Sequence, residues 1–186
     1  MKYFIILILS FSILNFVHCD DIWQCSDIES PDTQATFKEL GCYTDNTNLI
    51  VKKFYYPRYF RSNWIEAQMI CKSYDMELAR FESIDEVNDV FAFLKNSSDN
   101  VFRDGYWMFV GGITSTPGSV TSWYWTQTGV KVSFDIPWAT SNPSGGHEQC
   151  LSIGKHGFGY PLSFNDVPYE GYKNIFLCQK TKIKYQ

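Results

Sequence analysis

The chain has 186 residues, a formal net charge of −4 and an aromatic content of 18%. An acidic balance with no basic run argues against a nucleic-acid binder, and the one locally basic stretch, KTKIKY at the tail, reads as a solvated end. The length suffices for a single domain with a full core.

The chain opens MKYFIILILSFSILNFVHCDD. Lys2 supplies a positive start, and Phe4 to Val17 form an uncharged apolar run. Val17 and Cys19 are small enough for positions −3 and −1 of a signal-peptidase site, which puts cleavage before Asp20. Roughly 14 apolar residues fall short of the about 20 that a membrane span needs. The expectation is therefore a leader at 1–19 and a secreted product without a membrane span. From Asp20 to Asn48 the sequence is polar, with SPDTQAT and YTDNTN as turn-like clusters, and reads as an irregular N-terminal extension. LIVKKFYYPRYF (49–60) is β-branched and aromatic, and predicts a strand with a bend or edge at Pro57.

NWIEAQMICKSY (63–74) predicts a helix. Asn63 can cap it and Glu66 completes a capping box, with Trp64, Ala67, Cys71 and Tyr74 on one face. SIDEVNDVFAFLK (83–95) repeats the device, with Ser83 and Glu86 as the box and Val87, Val90, Phe91 and Leu94 as the buried stripe. MELARF between them reads as a short strand. After Asn100 the pattern changes to strands broken by turns: YWMFVGG (106–112), SWYWT (122–126), QCLSIG (149–154) and NIFLCQK (174–180). Alternation puts Trp123 and Trp125 on one face, which reads as core rather than ligand platform. Two helices early and several strands late indicate an α+β domain.

NWIEAQMIC, LARFES, YWMFVGG, WYWTQTG, PWATSNPSGGHEQC, FNDVP and FLCQK occur in this order between Ile50 and Lys180. Together they resemble the C-type lectin-like domain family, in the spacing of the secreted single-domain lectins of insects. The resemblance implies two helices flanking small antiparallel sheets with long ligand loops. The expected organisation is a leader at 1–19, the extension at 20–48, the lectin-like domain at 49–181 and a tail at 182–186. The resemblance also implies a bridge from Cys71 to Cys178, closing a loop of about 107 residues and worth on the order of 4–5 kcal/mol in the chain-entropy model. The family's second bridge would join Cys150 to the position after NDVP. Tyr169 stands there, so that bridge is missing and Cys150 is left unpaired.

In sugar-binding members of the family, a calcium ion sits between the long loop and the Asn-Asp strand. The loop motif there is Glu-Pro-Asn or Gln-Pro-Asp around a cis proline, a geometry that proline tolerates. Carried over residue by residue, Pro143 matches, while Asn142 replaces Glu or Gln and Ser144 replaces Asn or Asp. Glu148 matches the later glutamate at a shorter spacing. Asn165 and Asp166 match the strand pair, and Phe164 replaces the usual tryptophan. The resemblance thus implies carbohydrate contacts at Asn142, Ser144, Glu148, Asn165 and Asp166, and calcium ligands at Asn142, Glu148, Asn165 and Asp166. Calcium takes six to eight oxygens and gains affinity from carboxylates. With charge from Glu148 and Asp166 alone, this is a weak set, and its residue types are also those of an ordinary surface turn.

Other chemistry finds little support. His18, His147 and His156 lack zinc spacing; His147 reads first as a solvated loop residue, with ligand contact beside Glu148 as the alternative. Gly111-Gly112 lacks the continuation of a phosphate loop, and no nucleophile elbow marks an enzyme. Asn96 in NSS is an acceptor for N-glycosylation. Secretion makes disulfides the default for Cys25, Cys42, Cys71, Cys150 and Cys178. Cys25 and Cys42 are able to close a loop within the extension; the rival is a disulfide-linked dimer through Cys25, with Cys42 paired to Cys150 or reduced. Two functions follow: a secreted lectin that binds glycans or glycoproteins with calcium at a degenerate site, or a protein-binding module that has lost sugar and calcium binding.

Overall fold

The computed structural model describes residues 24–28, 35–47, 49–97, 107–116, 122–157 and 159–183. The expected leader and cleavage site fall outside the described residues, as do residues 184–186.

Two sheets and two helices make up the fold. The first sheet holds β1 (Phe37–Asp45), β2 (Ile50–Pro57), β3 (Glu77–Leu78) and β9 (Cys178–Ile183) in the order β1-β2-β9-β3. The second holds β4 (Trp107–Thr114), β5 (Trp123–Trp125), β6 (Cys150–Gly154) and β7 (Ser163–Val167) in the order β5-β4-β6-β7, with β8 (Ile175–Phe176) parallel to β4. Helices α1 (Trp64–Ser73) and α2 (Ile84–Asn96) lie between β2 and β4 in the chain. Among the described residues no helix is long and apolar enough to cross a membrane.

Both helices start where their caps place them. Asn63 accepts from the Glu66 amide at 2.8 Å and Glu66 accepts from the Asn63 amide at 3.1 Å, a complete capping box. Trp64, Ala67 and Cys71 are buried on one face of α1, and the Trp64 indole N–H donates to Val110 O at 2.8 Å, tying the helix to β4. Ser83 caps α2, but Glu86 does not close the box. Its carboxylate is fully buried, accepts from the Glu82 amide and lies 2.7 Å from the Lys52 ammonium.

Period-two alternation along β2 divides the core. Phe54 and Tyr56 join Phe81, Val90, Phe91, Trp125, Leu151 and Phe164 under α2. Tyr55 joins Trp64, Ala67, Phe109 and Phe176 under α1, where the Cys71–Cys178 bridge also lies. Trp123 and Trp125 are buried on one face of β5, in the core as their alternation predicts.

The N-terminal extension differs from its sequence reading. Phe37–Asp45 is a strand paired with β2 from Phe37↔Pro57 to Asp45↔Ile50. Of the cluster YTDNTN, Tyr43 to Asp45 end β1 and Asn46 and Thr47 begin the turn, in which Asp45 accepts from the Thr47 amide at 2.8 Å. Glu39, Gly41 and Asp45 hide the strand's alternation, and a bulge falls between Glu39 and Gly41. A Cβ on Gly41 would lie 2.5 Å from the Phe93 ring, so glycine is what lets α2 approach. The sheet thus begins at Phe37 rather than at residue 49. It also runs to Ile183, which pairs with Ile50, so Lys182 and Ile183 belong to β9 and not to a tail.

Candidate functional site

The loop between β5 and β6 and the strand β7 bring the candidate residues together. An Ala139 N–H to Phe164 O bond of 2.8 Å and a Phe164 N–H to Pro137 O bond of 2.8 Å lay the middle of the loop along β7. The Asn142–Pro143 peptide is cis. Past it, the Ser144 amide donates to Asp166 Oδ1 at 2.9 Å and the Gly145 amide to Asp166 Oδ2 at 2.7 Å. Asp166 is fully buried. Its carboxylate is therefore a clasp: one oxygen for each of two consecutive loop amides, in charge-assisted bonds of the stronger kind. The Ser144 hydroxyl is hydrogen-bonded to Glu148 Oε2, and the Glu148 amide donates to Gly145 O, which closes the turn.

Asn165 stands apart from this clasp. The β6–β7 ladder is regular, with Leu151↔Asp166 and Ser152↔Asn165 opposite one another. Neighbouring side chains on such a strand emerge on opposite faces. Asn165 is half-buried, with its backbone carbonyl accepting from the Ser152 hydroxyl at 3.2 Å. Asn142 and Pro143 are half-buried, and Ser144 and His147 are exposed.

This arrangement does not fit the calcium ion that the resemblance implies. Both Asp166 oxygens face backbone N–H groups in a buried setting, and one Glu148 oxygen is held by Ser144. Of the candidate side chains this leaves the Asn142 and Asn165 amide oxygens and the second carboxylate oxygen of Glu148, so half or more of the six to eight ligands of a calcium ion would have to come from backbone carbonyls and water. Among the described residues no three His, Cys, Asp or Glu side chains converge as a metal-holding group.

Cys150 begins β6 directly opposite Val167. It is a free thiol, fully buried, and burial pushes its pKa well above the ordinary thiol range. Tyr169, where a bridging partner would stand, is exposed. Cys25 is bonded to Cys42, so it is not available to link a second chain, and the described residues hold no exposed free thiol. Asn96 is exposed at the end of α2. His156 lies on the hairpin after β6, its ring 5.2 Å from that of Trp107 and away from the loop.

Sequence reasoning missed the buried ion pair beside the core. Lys52 and Glu86 are both fully buried; the Lys52 ammonium also donates to Arg80 O at 3.0 Å and lies 3.6 Å from Glu82. Burial lowers the Lys52 pKa and raises that of Glu86, each opposed by its partner's charge. The signal was present: Lys52 shares the inward face of β2 with Phe54 and Tyr56, so it needed a carboxylate.

No protein-family model matches the chain. It is 26% identical over 126 residues to C-type lectin 37Da of Drosophila melanogaster; the match covers 64% of this chain and 63% of that relative's length. Among solved structures it is similar to the C-type lectin domain of murine dendritic cell inhibitory receptor 2, in complex with N-glycan. The TM-score is 0.57 at 18% identity, over 70% of this chain and 91% of that one. It is also similar to human lithostathine, with a TM-score of 0.57 at 21% identity, over 86% of this chain and all of that one. The chain has the C-type lectin-like fold.

Proposed function

We propose that this chain of C-type lectin-like fold is a secreted glycan-binding module whose ligand loop is organised by Asp166 rather than by calcium. The observation that carries the reading is the Asp166 clasp on the Ser144 and Gly145 amides. A loop held by an internal carboxylate is formed before any ligand arrives, which lowers the ordering cost of binding. Asn142, Ser144, His147 and Glu148 then supply side chains for direct hydrogen bonds to sugar hydroxyls. The similarity to an insect C-type lectin and to a domain solved with an N-glycan supports the choice of ligand. The apolar N-terminal run and two disulfides fit an oxidising, extracellular destination.

The test is retention of the mature protein on immobilised mannose, galactose and chitin-type sugars, with calcium and then with chelator. Retention on at least one sugar that survives chelator is expected. Elution by chelator would overturn the calcium-free reading, and no retention in either condition would overturn the glycan reading. The second outcome would favour a protein-binding module. One observation already leans that way: Ser144, Glu148 and Asp166 use polar groups on one another.

A further inference from the structure

A cavity of about 470 Å³ lies between α1, β3, β9 and the turn after β5, and shares no residue with the loop site. Its size is that of a small-molecule pocket. Met76 and Leu78 lie beneath it as buried core residues, and Gln68, Gln127 and Gln179 line the walls. At the rim Lys72 and Lys180 are matched by Asp75 and Glu77, with Lys180 and Asp75 3.2 Å apart. The balanced charge gives no field that would select an ion.

The three amides are not equivalent. Gln179 is fixed: its oxygen accepts from the Arg80 amide at 2.8 Å and its nitrogen donates to Thr181 Oγ1 at 2.9 Å. The Gln68 oxygen accepts from the Thr126 hydroxyl at 3.1 Å. Gln127 has neither bond: both atoms of its amide are shielded from solvent and without a partner. The group lies against Gly111, where a Cβ would come within 2.4 Å of its nitrogen. A shielded amide with an unused donor and an unused acceptor is costly, and it is satisfied by whatever offers it both.

We infer that this cavity is a second binding site, taking one uncharged sugar ring through side-chain amides without a metal. A pyranose has adjacent hydroxyls that pair with the donor and acceptor of Gln127 once its side chain turns toward the cavity. Gln68 and the Lys72 ammonium reach the ring's other edge. The choice of ligand class rests on the glycan-binding reading; the residues do not.

The experiment is a ¹⁵N–¹H titration of the mature protein in chelator with N-acetylglucosamine, mannose and galactose. Saturable shifts of the Gln127 and Gln68 side-chain amides with at least one sugar are expected, weakened ten-fold or more by Gln127→Leu with the melting temperature unchanged or raised. Gln68→Ala, on the partly exposed side of α1, should weaken binding too and serves if Gln127→Leu fails to fold. Shifts at Ser144, Gly145 and Asn165 with none at the cavity would overturn this inference and leave the loop reading standing. Shifts at the cavity alone would uphold it while the loop reading falls. No saturable shift at the cavity amides with any of the three sugars, or shifts identical in both variants, would mean a water-filled recess and overturn it.

Discussion

Asp166→Ala removes the acceptor of two buried or half-buried loop amides at once. The bonds measure 2.9 and 2.7 Å and the side chain is fully buried, so solvent does not replace it freely. Hydrogen bonds to a charged group contribute about 1.5–3 kcal/mol each. Two of them give a loss of about 3–6 kcal/mol, or roughly 6–24 °C in melting temperature for a domain of this size. Asp166→Asn keeps one acceptor and sets its NH₂ against the other amide, for a smaller loss of about 2 kcal/mol. Differential scanning fluorimetry in chelator, repeated with millimolar calcium, reads both effects. Wild type should melt at one temperature in either buffer, because the carboxylate is already engaged by the chain. A rise of several degrees with calcium, abolished in Asp166→Asn, would show the ion bound to the folded state and refute the clasp as the loop's organiser.

The remaining predictions concern the core. Lys52→Met leaves Glu86 buried without its cation and should cost about 3–5 kcal/mol in denaturant melts, whereas the double variant Lys52→Met/Glu86→Leu should return to within about 1 kcal/mol of wild type or exceed it. The raised Glu86 pKa gives a pH dependence. The folded state holds that proton more tightly than the unfolded chain, so stability relative to Glu86→Gln should fall as pH climbs above the ordinary carboxylate value of 4.5, and melts at pH 4 and pH 7 read the sign. Lys52 acts at the other end: its lowered pKa should return stability as pH rises toward 10.5. Non-reducing electrophoresis of the mature chain should show a monomer, with one thiol that labels after denaturation alone and maps to Cys150. A band at twice that size that collapses on reduction would contradict the Cys25–Cys42 pairing.

What could be read from the sequence follows from how local each signal is. Both helices announce themselves by caps and stripes that act within four residues, and both begin where those signals say. β1 was hidden because its stability comes from pairing with β2 and from α2 closing over Gly41, neither of which leaves a local pattern in FKELGCYTD. Glu86 was legible as a helix N3 residue but not as the partner of Lys52, since that choice depends on a strand 34 positions earlier in the chain. The candidate site divides the same way. Residue types at Asn142, Pro143, Ser144, Glu148, Asn165 and Asp166 could be matched to a family pattern one by one. Which lone pairs were already occupied could not be matched, because it depends on the path of the loop backbone past β7.

That path also explains how a loop lacking a second disulfide stays ordered. The missing bridge would have tied Cys150 to the segment after β7, but those segments are already held by the β6–β7 ladder and by the Gln149 N–H to Val167 O bond of 3.0 Å. Cys150 and Val167 sit opposite one another in the core under α1, and there a thiol packs as a small apolar residue. The loop itself needs its constraint further along, at Ser144 and Gly145, and Asp166 supplies it one residue before Val167. A calcium ion at this position would compete with those two amides for the Asp166 carboxylate. Repairing the ligand set at Asn142 and Ser144 alone would leave that competition in place, so Asn142→Glu/Ser144→Asn should gain no calcium affinity by calorimetry, and a clear gain would put the fault in the altered tripeptide instead.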